Sequence, residues 1–287
     1  MHYTRQLTEL FILHEINLYK ANKMENVSSE DKGMSVTRFV DLILEVSTIL
    51  LESGAHCERI NRNVQRIADT TCYKVEILLT FTAVSVTVTD RKNPENTVTG
   101  NRRVRHHGAH FGVLTNTSLL TWDLFENKIS LDELENCLNE IKVAPKHPVW
   151  LIRVFIGVAC GCLCLLAGGD WVDGAFAFIA SLMGLTVRQE MIKKKFNLMV
   201  AIVCSAFVTT TVSGMNVLFG CGLSPDISVA TAVLFLIPGV PLINCIIDLL
   251  EGYIPTGIAR GAFGGFILLC IAIGMFMSMS LIGINNF

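Results

Sequence analysis

The residues best suited to chemistry lie in one apolar run in the C-terminal part of the chain, where Pro238, Gly239 and Pro241 occur close together. A proline has no backbone donor and frees the carbonyl one turn earlier, so these residues predict a helix that is broken near its middle. Backbone groups at such a break can bind a substrate or an ion in a membrane protein. A proline kink with a purely structural purpose is the alternative.

Two polar residues follow this break. Asn244 and Asp248 are four positions apart, and residues at that spacing share one face of a helix. A carboxylate in a spanning segment is costly unless it faces a polar interior, where it can carry a proton or contact a substrate. Asp248 could instead lie at the cytoplasmic membrane interface, and the sequence leaves both readings open.

Hydroxyl and acidic side chains occur in two other apolar runs. Thr210, Thr211 and Ser213 lie midway along one of them, where they can line a pathway or hydrogen-bond to carbonyls of their own or a neighbouring helix. Asp173 follows the aromatic anchor Trp171 at the edge of another run, where its carboxylate can also simply be solvated.

A histidine-rich loop brings possible metal ligands close together in the sequence. His106, His107 and His110 have helical spacings, but Arg102, Arg103 and Arg105 directly precede them. Positive neighbours disfavour a cation. We therefore expect no metal and no cofactor, and a basic loop that binds an anion, a partner or lipid headgroups. The sequence also lacks the phosphate-binding, dinucleotide and hydrolase motifs, so we expect no ATP-driven engine and no recognisable hydrolase centre, and the chain is not expected to be an enzyme.

The composition excludes a soluble globular protein. Of the 287 residues, 51% are hydrophobic and 17% charged, and the net charge of -2 argues against a nucleic-acid partner. The first 148 residues contain 17 of the 23 Lys and Arg and 19 of the 25 Asp and Glu. The chain thus divides into a polar first part and an apolar second part.

The apolar part contains five runs that approach the roughly 20 residues a helix needs to cross a bilayer. The predicted spans are 149–167, 172–187, 196–219, 227–250 and 258–284. The loop from Arg188 to Lys195 carries four positive charges, and such loops stay in the cytoplasm. We therefore expect a multi-pass membrane protein, with its N-terminus in the cytoplasm and its C-terminus outside.

The polar part predicts a lead at 1–35 and a small cytoplasmic α+β domain at 36–147. Apolar residues with helical period indicate helices at 36–52 and 57–70, and 117–125 and 131–141 are expected to form further helices. Alternating Val residues at 75–89 indicate a strand, and 97–105 is expected to pair back on it. Ser130 and Glu133 form a predicted capping box.

Several stretches of this sequence resemble the threonine/serine exporter family, and specifically its N-terminal-type subunit. The stretch Pro238-Gly239-Val240-Pro241-Leu242-Ile243-Asn244, followed by Asp248, Gly252, Thr256-Gly257 and Ala259-Arg260, is similar to the family pattern PGxPLINxxxDxxxGxxxTGxAR. Supporting matches are Ser53-Gly54-Ala55 with Glu58-Arg59, Gly169 to Ala175, Arg188-Gln189 and Thr210 to Gly214. The resemblance covers about residues 36–284.

The resemblance implies a secondary exporter of small hydrophilic metabolites, threonine and serine or a dicarboxylate such as succinate, linked to the proton-motive force. It also implies that a smaller five-span membrane subunit completes the exporter, and it leaves homo-oligomerisation open. The positions that match the family pattern are expected to form the substrate and ion pathway. They are Pro238, Gly239, Pro241, Asn244, Asp248, Thr210, Thr211, Ser213, Asp173 and Arg188. The broken helix would offer backbone groups to a carboxylate substrate, and Asp248 would couple protons.

Two other classes of function remain open. One is a membrane-anchored enzyme or sensor that acts through the cytoplasmic domain. The other is a scaffold that stabilises a transporting partner without transporting anything itself.

Overall fold

The computed structural model describes residues 34–104, 108–143 and 148–282. These residues form two compact units. The N-terminal unit comprises the described residues up to 143 together with Ile247–Gly257, and the helical unit comprises 148–246 and 258–282. The lead at 1–35 lies almost wholly outside the described residues, as do Arg105, His106 and His107.

The N-terminal unit combines four helices with three strands in its described residues. Its elements are α1 (Val36–Glu52), α2 (Cys57–Ala68), β1 (Tyr73–Leu79), β2 (Ala83–Asp90), β3 (Thr97–Arg103), α3 (Phe111–Phe125) and α4 (Leu131–Val143). The helices predicted in this region are confirmed. The capping box is confirmed as well, because the amide of Ser130 donates to Glu133 and the amide of Glu133 donates to the Ser130 hydroxyl.

The strand predicted over 75–89 is wrong as a single strand. A turn at Thr80 separates β1 from β2, and the Thr80 side chain closes it by accepting from the Ala83 amide at 3.0 Å and donating to the Ala83 carbonyl at 2.9 Å. Threonine favours strands as well as turns, so the composition of this stretch hid the break. The predicted pairing of the next strand is confirmed, since β3 runs antiparallel to β2.

The core of the N-terminal unit forms where α1 packs on the sheet. The sheet has the order β1-β2-β3, and Val84, Val86 and Val88 of its central strand are all fully buried. Gly100 of β3 allows the helix to come close, because a Cβ there would lie 2.6 Å from Cγ1 of Val40. Alternating apolar residues on β2 thus meet the apolar face of α1.

The helical unit follows. Its elements are α5 (Val149–Leu166), α6 (Trp171–Lys193), α7 (Leu198–Phe219), α8 (Pro225–Ala232), a short 3-10 helix (Leu234–Leu236), α9 (Gly239–Leu250) and α10 (Ile254–Ile282). Within the described residues, α5, α6, α7 and α10 are long and apolar enough to cross a membrane. The end of α9 and the start of α10 lie in the segment that belongs to the N-terminal unit.

The predicted helix break is confirmed. The segment Pro225–Leu236 and the helix α9 meet at an angle of 64°, and the residues between them are Ile237 and Pro238. If this bent pair counts as one span, the described residues contain five. Helix α6 also continues through Arg188, past the predicted end of the second run at 187, so Arg188 is a helical residue and not a loop residue.

Candidate functional site

Asp248 lies in the N-terminal unit, at the beginning of α2. Its carboxylate is fully buried and accepts a hydrogen bond of 2.7 Å from the backbone amide of Cys57, the first residue of that helix. The first amides of a helix have no partner within the helix, and the helix dipole stabilises a negative group placed there. Asp248 therefore caps α2 from a position far away in the sequence.

Three more contacts attach the Ile247–Gly257 segment to the same unit. His56 Nδ1 lies 3.2 Å from Oε2 of Glu251, and the Tyr253 hydroxyl donates to Glu58 at 3.1 Å. The hydroxyl of Thr256 donates to the carbonyl of Leu79, the last residue of β1, at 2.9 Å. Consecutive residues at the start of α2 thus each hold a different residue of this segment.

These contacts also bring together a set of side chains that could hold a metal ion. One ligand atom each from His56, Asp248 and Glu251 lies within 4.8 Å of the others. One imidazole nitrogen and two carboxylates suit a divalent transition metal. The sequence predicts no metal, and its candidate histidines are different ones. His106 and His107 lie outside the described residues, and His110 directly precedes α3.

The Tyr253 contact predicts a pH effect on stability. Burial, and after it the Glu58 carboxylate, raises the pKa of Tyr253 from 10.0 to about 12. The folded state therefore holds this proton more strongly than the unfolded state, so its contribution is complete below pH 10 and is lost as the pH rises through about 12. We expect the free energy of unfolding to fall over this interval in the wild type, and Tyr253→Phe to flatten that part of the profile.

Denaturant unfolding as a function of pH measures this effect. The pKa of Tyr253 is obtained from the difference in the absorbance of ionised tyrosine between the wild type and Tyr253→Phe. Tyr73→Phe is the control, since the Tyr73 hydroxyl donates to a backbone carbonyl, that of Met34. An unchanged slope in Tyr253→Phe would contradict the assignment.

Asp173 organises one end of the helical unit. It is fully buried, so the expectation that it could simply be solvated does not hold. It forms a capping box with Asp170 at the start of α6 and accepts from Asn216 Nδ2 at 2.6 Å and from the Ser224 amide at 3.0 Å. A Cβ at Gly222 would lie 1.9 Å from its Oδ1. Asp173 thereby joins the start of α6 to the end of α7 and the start of α8.

The hydroxyls of α7 divide into two groups. Thr209 and Thr211 donate to the carbonyls of Ser205 and Phe207 one turn earlier, and Thr211 also contacts Ser278 of α10 at 2.8 Å. Thr210 and Ser213 are at most 1% exposed, and their hydroxyls have no hydrogen-bond partner within the described part of the chain. A buried hydroxyl without a hydrogen-bond partner is energetically costly, so the hydroxyls of Thr210 and Ser213 can bind a polar molecule that supplies one.

The break itself lies in the helical unit. The amide of Gly239 donates to the carbonyl of Ile237, and the amide of Leu242 donates to that of Pro238. Pro241 has no amide proton in the first turn of α9. Asn244, one turn further, is 7% exposed.

A family model described as "Putative threonine/serine exporter" matches residues 41–282. This chain belongs to the threonine/serine exporter family. Family membership and the apolar helices together make it a multi-pass membrane protein.

Individual relatives in this family are named for transport. The chain is 28% identical over 261 residues to the "Probable succinate transporter subunit YjjP" of Klebsiella aerogenes, covering 90% of this chain and 98% of that protein. It is 26% identical to the protein of the same name in Escherichia coli K12, covering 89% and 98%. It is 25% identical to the "Probable threonine/serine exporter" of Mycobacterium tuberculosis, covering 93% of this chain but 50% of that protein. No solved structure matches the chain.

The residues that the sequence predicts for the pathway are divided between the two units. Of the residues predicted for the pathway, Asp248 belongs to the N-terminal unit and the others to the helical unit. The sequence did not identify His56, Glu251 or Tyr253 near Asp248, or Asn216 near Asp173. The Glu58-Arg59 match to the family was the one signal that pointed to the start of α2.

Proposed function

We propose that this protein is one subunit of a secondary exporter in the bacterial cytoplasmic membrane. It crosses the membrane five times, the fourth time through the bent pair of α8 and α9, with the N-terminal unit in the cytoplasm. It exports a small hydrophilic metabolite with a carboxylate group, an amino acid such as threonine or serine or a dicarboxylate such as succinate. The names of its relatives support this choice of substrates.

The main observation behind the proposal is the break at Ile237 and Pro238, which interrupts a segment that is long and apolar enough to span a membrane. Irregular backbone at membrane depth is tolerated where it is enclosed by protein or lines an aqueous cavity. In transporters, the ends of such half-helices contact the substrate or the coupling ion. The hydroxyls of Thr210 and Ser213 have no hydrogen-bond partner among the described residues, and they add buried polar groups to the same unit.

A second subunit completes the proposed exporter. Two relatives of nearly the same length are named subunits, whereas the M. tuberculosis relative is about twice as long as the part this chain matches. We infer that a separate, smaller membrane protein with five spans supplies the part that corresponds to the other half of the M. tuberculosis relative.

Export should therefore require both proteins. Cells loaded with labelled threonine, serine or succinate are expected to lose the label when they express this chain with its partner, and not when they express either protein alone. The measurement is the efflux rate at matched membrane levels of both proteins. Efflux from the partner alone, with this chain raising only the partner's abundance, would support the scaffold alternative. Absence of efflux from the pair would contradict these substrates.

A further inference from the structure

Helices α6 and α8 run side by side in the same direction. Asp173 of α6 accepts from the amide of Ser224, directly before α8. A Cβ added to Gly184 of α6 would lie 1.8 Å from Oγ1 of Thr209 in α7 and 3.2 Å from Cζ of Phe235 in the short 3-10 helix. The number of residues from Asp173 to Gly184 equals that from Ser224 to Phe235. The two segments therefore stay level with each other over this length.

Arg188 lies on α6 one helical turn beyond Gly184. It is therefore on the same face of α6, the face that packs against Thr209 of α7 and Phe235. Phe235 is two residues before Ile237, where the backbone becomes extended and the bent pair changes direction. Arg188 thus lies one turn past the part of α6 that contacts the segment just before the break.

The guanidinium of Arg188 has no counter-ion in the described ranges of the chain. Its Nε is buried and lacks a hydrogen-bond partner among those residues. The nearest acid in sequence is Glu190, whose Oε1 contacts Arg153 at 3.3 Å and Lys193 at 2.8 Å. A largely buried cation without a partner is unfavourable, and an anion that enters the site would relieve this cost.

We propose that Arg188 binds the carboxylate of the exported metabolite on the side of α6 that contacts the segment before the break. The inference rests on the proposed function and adds the chemical group that is recognised. A guanidinium presents a planar pair of N–H donors that matches a carboxylate in a bidentate manner, whereas an ammonium is a point charge. The site should accept amino acids and dicarboxylates and discriminate against analogues whose carboxylate is replaced by an amide.

The purified complex of this chain with its partner allows a test that does not depend on transport. Succinate, threonine and threonine amide are added in turn, and thermal unfolding is followed with each. Succinate or threonine is expected to stabilise the wild type, because a ligand that binds only the folded state raises its stability. Arg188→Gln should weaken this binding at least about tenfold and Arg188→Lys less, since lysine retains the charge but not the paired donors. Threonine amide should not stabilise any form.

Arg153→Gln is the matched control, because Arg153 belongs to the same unit but already contacts Gln189 and Glu190. It should bind succinate or threonine as the wild type does. Equal stabilisation of the wild type and Arg188→Gln would overturn the assignment, and so would stabilisation by threonine amide. Failure of both carboxylates to stabilise the wild type would also overturn it, and the efflux experiment would then decide the proposed function separately.

Discussion

Replacing Gly274 by Ala is expected to destabilise the helical unit by about 2–3 kcal/mol, the upper part of the range for overpacking a tight interface. Gly274 of α10 lies directly against α7, where an added Cβ would be 2.5 Å from the carbonyl oxygen of Val203 and 3.1 Å from the amide nitrogen of Phe207. Both are backbone atoms of a helix, so they cannot rotate out of the way. The two helices would have to separate, and small residues at helix contacts in membranes are what permits such close packing.

Gly265→Ala in the same helix is the matched control. Nothing lies within 4 Å of a Cβ built on Gly265, and alanine favours a helix over glycine by up to about 1 kcal/mol. This variant should be as stable as the wild type or slightly more stable. Denaturant unfolding of the two variants in detergent compares them directly. Equal stability of Gly274→Ala and Gly265→Ala would show that α7 and α10 do not make this close contact.

The sequence predicted those features that depend on neighbouring residues. The break at Pro238 follows from missing backbone donors, and helices α1 and α2 follow from apolar periodicity, both of which are local properties. The apolar runs likewise coincide with the long helices, because a spanning segment needs a minimum length of apolar side chains. The hydrogen bond from Thr211 to its own helix belongs to the same category, since the acceptor is one turn away.

The parts that escaped prediction depend on residues far apart in the chain. Cys57 and Asp248 are 191 positions apart, and no local pattern indicates that an acid after a broken helix caps a helix of the N-terminal unit. The sequence predicts a loop at Arg188 because this residue opens a cluster of positive charges. In the structure α6 continues past it, and Gln189 and Glu190 in this added turn contact Arg153 of α5. The charge pattern alone could not reveal these contacts.

Asp248→Asn is expected to lower proton-driven efflux at least about tenfold at an unchanged protein level, because an amide cannot take up and release a proton as a carboxylate does. The variant should stay folded, since the amide oxygen of asparagine can still accept the hydrogen bond from Cys57. Glu251→Gln is the control: it changes an exposed acid of the same segment and should leave the dependence of efflux on the pH gradient unaltered. Efflux is measured in vesicles of the two-subunit complex with and without an imposed pH gradient.

Asp248→Ala separates the proton role from the capping role. This change leaves the buried amide of Cys57 without the carboxylate that caps it, which should cost about 1–3 kcal/mol of stability. If coupling needs the charge, both variants lose efflux and only the alanine variant unfolds more easily. If Asp248 serves only to cap α2, the asparagine variant exports at the wild-type rate and the alanine variant loses export in proportion to its loss of folded protein. The second pattern would remove Asp248 from the proton pathway and assign it to the attachment of the Ile247–Gly257 segment.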